Sequence, residues 1–390
     1  MGALNQHSVY GPVANPAIYA DRSNPDFSST NLRAPGGSSG GAAASVAAGL
    51  CRVAIGTDTG GSTRLPGAFC GVYGFKPSYG MISRWGVVSY ADSLDTVGIL
   101  GNSVSDVSTT FDAIAKEDPR DETCIDKHLR EHLQTANSSR IREIGREERP
   151  LHGLRVGIPA EMYPVEMHQD TLEITDNVLD AMHKLGAEIV PVRVPIIAHC
   201  IGAYYLLALA EASSNLSRFD GMRYGLSVPD EAKFQDTVAK SRQAGFGDEV
   251  RRRILLGTYA VTTEAWESYY MAALDIRSQL MQELSLLWRS RDLRKESSGP
   301  SQGVDLFVHP TSLQGAPKFD QDPASEYAQD ALTTYANLAG IPVMSAPARR
   351  RLYDGQTALP VGVSFASAWG YDRMLLHIVN LVHAHTDTLA

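Results

Sequence analysis

Cysteine is scarce in this sequence: the four residues Cys51, Cys70, Cys124 and Cys200 are scattered, without paired metal-ligand spacing. A chain this long needs no disulfide framework, so the usage fits a reducing or matrix-like compartment, and no metal site is expected. Positive charge is in deficit too, with 35 Lys and Arg against 44 Asp and Glu and a formal net charge of −9. Affinity for a phosphate backbone comes mainly from basic side chains, so any RNA contact is expected to fall to a partner. Long apolar runs are missing: nothing approaches the ~18 residues of a membrane span. The opening MGALNQHSVYGPVANP has neither a signal-peptide core nor an Arg-rich amphipathic presequence. No glycine-rich phosphate loop of the GxxxxGKS or GxxxxGKT type occurs, and there is no internal repeat or low-complexity tail.

What is present is ordinary for a globular protein, with 43% hydrophobic and 20% charged residues over 390 positions, enough to bury a substantial core. GAAASVAAGL reads as a tightly packed helix leading into a strand, RVAIG. Between about residues 116 and 150 the chain is heavily charged and poor in apolar periodicity, which predicts an exposed excursion within the fold. LRVGIP then predicts a strand. A helix follows over residues 170–185, with Leu172, Val178, Leu179, Met182 and Leu185 at helical spacing and Gly186 as its stop, and EIVPVRV is a second strand. Strand, helix, strand means α/β architecture. Residues 250 to about 289 carry a long helical pattern, DLFVHP and LPVGVSFAS read as strands, and a helix runs through Leu375, Ile378 and Leu381.

The chemistry concentrates between Gly36 and Pro77, in GGSSGGAAASVAAGLCRVAIGTDTGGSTRLPGAFCGVYGFKP. Glycines let the backbone approach a substrate closely, so GGSSGG and TGGS both suit main-chain N–H groups aimed at a ligand. A serine just after such a turn can attack an amide, with the N–H groups of Thr59, Gly60, Gly61 and Ser62 itself as the oxyanion hole, each such donor being worth ~10²–10³ in rate. Serine needs a base, and no histidine lies nearby in sequence. A Ser-Lys arrangement with a relay hydroxyl is the other route, with Ser38 as the candidate relay. Either glycine motif alone reads more simply as a flexible loop or an anion nest.

Together, 24 residues apart with a helix and a strand between, the two motifs resemble the amidase signature family. The resemblance implies one α/β/α unit around a large mixed sheet, spanning residues 1–390, and a Ser-cisSer-Lys triad. In it Ser62 is the nucleophile and Ser38 the relay, with a cis Gly37–Ser38 peptide, while Asp58 and Arg64 support the loop. NQHSVYGPV, LRVGIPAEMY, AEASSNLSRFDGMRYG, EVRRRILLGTYA and YAQDALTTYANLAGIP resemble the A-subunit branch of that family, the glutaminases of glutamyl-tRNA(Gln) amidotransferases. That branch implies a carbon–nitrogen ligase system in which glutamine is the amido donor. By motif match Arg253 holds the glutamine α-carboxylate, Asp330 its α-ammonium, and Tyr204 lines the pocket; a planar Arg fork suits a carboxylate. Read without the family, Arg253 belongs to a solvated helix face, Asp330 to a helix first turn and Tyr204 to the core.

The same resemblance assigns no cofactor to this chain. It places ATP and Mg²⁺ on a partner B subunit, where ammonia converts Glu-tRNA(Gln) to Gln-tRNA(Gln), with a small third subunit bracing the complex. The wording of the segments is closer to mitochondrial matrix forms, with a cytoplasmic location as the bacterial alternative. One departure stands out. The family's base lysine precedes GGSSGG, whereas the first lysine here is Lys76, which follows the nucleophile and is not assigned as base. The expectation is an N-terminally incomplete chain. The alternatives are a stand-alone amidase of small carboxamides, for which the Arg253–Asp330 pair has no use, and a non-catalytic structural subunit.

Overall fold

The computed structural model describes residues 2–19, 32–146, 148–229, 234–290, 292–294, 300, 302–319, 327–354 and 357–390. An eight-stranded mixed sheet organises them. Its strands are β1 (Val53–Asp58), β2 (Tyr73–Lys76), β3 (Thr96–Gly101), β4 (Arg155–Pro159), β5 (Glu188–Val192), β6 (Leu306–Pro310), β7 (Val343–Pro347) and, after the small β8 (Leu352–Asp354) and β9 (Thr357–Leu359) hairpin, β10 (Gly362–Ser367). The order is β1-β3-β2-β7-β10-β6-β4-β5. β4 pairs in parallel with β5 and β6, and every other pairing in the sheet is antiparallel. The interior strands β2, β3, β7, β10 and β6 are buried at every residue, so they read as continuous apolar or small-residue runs, while the edges β1 and β5 stay half exposed.

The expected α/β organisation is present. Helix α1 (Gly40–Ala47) leads into β1, and α2 (Arg64–Cys70), buried along its whole length, leaves it. After α3 (Val104–Ile114) comes a correction. The charged stretch is largely exposed, but it contains a regular 17-residue helix, α4 (Lys127–Glu143). Asp126 caps it by accepting from the Leu129 N–H at 2.8 Å, and Leu133 and Asn137, four residues apart, are its fully buried contacts. The crossover helix α5 (Gln169–Lys184) joins β4 to β5 and buries Ile174, Val178, Leu179 and Met182; Gly186, at φ +104°, ends it as the sequence indicated.

Helix α6 (Cys200–Asn215), with its flanking turns from Pro195 to Arg218, is apolar and long enough to meet the length and composition of a membrane span. It is instead a core helix, packed between neighbours. After α7 (Phe234–Gly245), the long helical pattern divides into α8 (Asp248–Ala260), a π-helical turn at Trp266–Met271 and α9 (Ala272–Leu287). Short α10 (Thr334–Ala339) precedes β7, and α11 (Asp372–His385) closes the fold. α6 packs against α8, α9 and α10, which brings the C-terminal half of the chain over the end of β1.

Candidate active site

The turn after β1 is held from below by a buried ion pair. Asp58 accepts from Nε and Nη2 of Arg64 at 3.0 and 2.8 Å and from the N–H groups of Thr63 and Arg64 at 3.1 and 3.3 Å. Burial acts to raise the Asp58 carboxyl, but the Arg64 charge and hydrogen bonds, aided by Lys76 and Asn337, win and hold it at about 2. Arg64 also donates to the Thr333 carbonyl at 2.8 Å, and Asn337 Nδ2 donates to the main-chain and side-chain oxygens of Asp58 at 2.9 and 3.0 Å. These contacts tie the turn to α10 and fit the supporting role the sequence gives Asp58 and Arg64.

The second serine-bearing loop lies against this turn. The Gly37–Ser38 peptide is cis, as the resemblance implies. The Ser39 N–H donates to the Ser62 carbonyl at 3.1 Å, and Ser39 Oγ exchanges hydrogen bonds with Thr57 on β1, at 3.1 and 3.2 Å. Ser38 is thereby left exposed beside half-buried Ser62.

A cavity of about 370 Å³ opens over both loops, and Ser38, Ser62, Thr59, Tyr204, Arg253 and Asp330 all line it. Six expected residues from five separate parts of the chain therefore share one space. Gly60 and Gly61 are not among the lining residues; they form the buried floor of the turn. A Cβ on Gly60 would fall 2.3 Å from the Tyr204 ring, so only glycine lets that ring cover the turn. Thr333 Oγ1 donates to the Gly60 carbonyl. Among the described residues no protein acceptor takes the N–H groups of Gly60, Gly61 or Ser62.

The far end of the cavity is charged. Of the triple-arginine run, Arg251 and Arg252 are solvated and pair with Asp248 and Glu249, whereas Arg253 is only 4% exposed. Its Nε donates to Glu249 at 2.6 Å, its Nη1 donates to the Tyr90 hydroxyl at 3.2 Å, and its guanidinium lies over the rings of Tyr205 and Tyr327. Asp330 accepts from the Tyr205 hydroxyl at 2.6 Å. Burial first, and then the Asp330 charge, push the Tyr205 phenol far up, so it stays protonated and donates.

Glu249, Tyr90, Tyr205, Tyr327, Thr333 and Asn337 went unassigned in the sequence. Only Glu249 leaves a local signal, standing four residues before Arg253 on one helix face. Lys76 is elsewhere: its buried Nζ donates to the Pro77 carbonyl at 2.9 Å, and it is absent from the cavity wall. Among the described residues no lysine or histidine lines the cavity, so the departure seen in the sequence persists in the fold.

The amidase family profile matches residues 1–376. The chain is 43% identical to the mitochondrial glutamyl-tRNA(Gln) amidotransferase A-subunit of Mycosarcoma maydis, over 97% of this chain and 72% of that protein. It is 39% identical to the glutamyl-tRNA(Gln) amidotransferase A-subunit of Azotobacter vinelandii, over 99% of this chain and 72% of that one. The crystal structure of the Thermotoga maritima glutamyl-tRNA(Gln) amidotransferase A-subunit superposes with a TM-score of 0.69 at 31% identity, covering 96% of this chain and 69% of that one.

Proposed function

Because the chain belongs to the amidase family, we propose that it is the glutamine-hydrolysing subunit of a glutamyl-tRNA(Gln) amidotransferase. One observation carries this reading: a single cavity holds Ser62 and Ser38 at one end and a buried cation, Arg253, with a buried anion, Asp330, at the other. A free amino acid presents a carboxylate and an ammonium, and glutamine adds a side-chain amide that reaches toward the serines. A neutral carboxamide has no partner for either charge.

In this scheme Arg253 receives the α-carboxylate and Asp330 the α-ammonium, with Tyr204 as the wall between them and the turn. Ser62 Oγ attacks the amide carbon, its proton passing by way of Ser38 to the departing amide nitrogen, and the main-chain N–H groups of Thr59, Gly60, Gly61 and Ser62 receive the developing oxyanion. Ammonia leaves, a glutamyl ester remains on Ser62, and water releases glutamate. A partner B subunit, using ATP and Mg²⁺, passes the ammonia to Glu-tRNA(Gln), and a small third subunit braces the assembly. The fungal mitochondrial relatives support a matrix location. A second reading, a non-catalytic subunit, is favoured by the absence of lysine and histidine from the described cavity wall.

Glutamate release and glutamine binding, measured on the chain alone and with its partners, decide among these. The expected result is glutamine hydrolysis that falls by ~10⁴-fold or more in Ser62→Ala, while glutamine is still bound. Equal kcat/KM for glutamine and for a neutral carboxamide, unaffected by Arg253→Ala, marks a stand-alone amidase. Glutamine binding without hydrolysis in any assembly marks the structural subunit.

A further inference from the structure

Resting on the glutaminase reading, we propose that Asp95 is a positioning residue that joins the turn carrying Ser62 to the arginine that grips the substrate carboxylate. Asp95 is the residue before β3 and is only 4% exposed. Its Oδ1 accepts from Oγ1 of Thr59, the first residue of the nucleophile turn. Its Oδ2 accepts from the N–H groups of Tyr90 and Ala91, at 2.8 and 3.0 Å. Through its hydroxyl oxygen Tyr90 in turn accepts from Nη1 of Arg253 at 3.2 Å. Thr59, Asp95, Tyr90 and Arg253 all line the cavity, so the path runs along its wall from the serine end to the charged end.

The chemistry of the link requires a carboxylate. Three donors converge on Asp95, one hydroxyl and two amides, and they approach from two sides. A carboxylate has an acceptor oxygen for each side, whereas an asparagine has one oxygen and turns an NH₂ group against donors on the other. A substrate carboxylate that engages Arg253 therefore acts on the turn of Ser62 through three hydrogen bonds. Conversely, cutting the link at Asp95 disturbs both ends of the cavity, and cutting it at Tyr90 disturbs the charged end.

Two readouts test this on the whole chain. The first is the glutamine Kd by calorimetry for wild type, Asp95→Asn, Tyr90→Phe and the double variant. The second is the rate at which a fluorophosphonate probe modifies Ser62, with the denaturation midpoint as control. Each single variant is expected to weaken glutamine about tenfold, the scale of one hydrogen bond to a charged group, and the double variant to weaken it no more than the worse single one. Asp95→Asn is expected to slow Ser62 labelling about tenfold or more, out of proportion to its change in midpoint. Fold-changes in Kd that multiply, or wild-type labelling of Asp95→Asn, overturn the proposal. Should Asp95→Asn fail to fold, Thr59→Val cuts the same link from the other side and is read identically. If wild type binds no glutamine, the glutaminase reading fails and labelling alone judges the link. If it binds glutamine but resists the probe, the Kd cycle judges it, and a chain that does neither overturns both.

Discussion

At the scale of single residues, the Ser62 turn depends on one ion pair. Asp58 and Arg64 are both buried, and Arg64 donates to the Asp58 carboxylate, the Thr333 carbonyl and Asn337. Removing one partner of such a pair leaves an uncompensated buried charge, which is worse than removing both. Arg64→Met is therefore expected to cost about 3–5 kcal/mol in urea denaturation, and Asp58→Asn with Arg64→Met to cost less than Arg64→Met alone. Equal costs would show that Asp58 does not need its cation. The two residues that flank Ser62 were assigned through the family resemblance, and they sit within six positions of each other. Asn337 and Thr333 were not, since they reach this turn from some 270 positions away, a separation that leaves no local pattern. Arg253 too was legible through family resemblance, because burial of one arginine in a run of three is decided by how its helix is rotated.

Elements were legible wherever one face met the core. The crossover helix α5 carries its period openly, and β4, β5, β6 and β10 stand out as short apolar runs between turn residues, β6 and β10 because both of their faces are buried. The helix α4 was hidden because just two of its seventeen side chains are fully buried; one of these, Asn137, works through hydrogen bonds, donating to Gly370 at 2.8 Å and accepting from the Met374 N–H at 2.9 Å. Helix α6 was hidden for the opposite reason, being apolar on nearly all sides. Its contact with α8 places Arg253 and rests on Gly257, where a Cβ would stand 1.8 Å from the Leu209 carbonyl oxygen. Gly257→Ala must push α8 away from α6 and carry Arg253, one turn earlier, with it. The expected outcome is a loss of about 1–3 kcal/mol in stability with a glutamine Kd raised about tenfold. Gly245→Ala, whose added Cβ meets only the Leu226 side chain at 3.5 Å, is the control expected to leave both unchanged. An unaltered glutamine Kd in Gly257→Ala would mean that the position of α8 does not set the charged end of the cavity.

For the molecule as a whole, several fully buried ionisable groups make stability depend on pH. His309 on β6 is held neutral between the Pro310 carbonyl, to which its Nδ1 donates at 2.7 Å, and the Tyr335 hydroxyl, which donates to its Nε2 at 2.8 Å. Burial, with the Arg64 charge nearby, lowers its pKa to about 4 from 6.5. The unfolded chain therefore takes up this proton first as pH falls below 6.5, and native stability is lost progressively down to about 4, by about 3 kcal/mol. Lys76, lowered by burial from 10.5 to about 7, acts in the same sense over the alkaline window, and Asp58 does so between 3.8 and about 2. Asp95 and Asp372, whose carboxyls burial raises, oppose the trend, so the raw pH profile mixes both signs. The difference between two profiles isolates His309. His309→Gln keeps a donor and an acceptor in the same place without a titrating ring. Its denaturation midpoint should fall less than that of wild type between pH 6.5 and 4, and the two profiles should run parallel below that window, where Asp58 still titrates. Profiles that stay parallel from 6.5 to 4 would mean that His309 is not held neutral in the folded core.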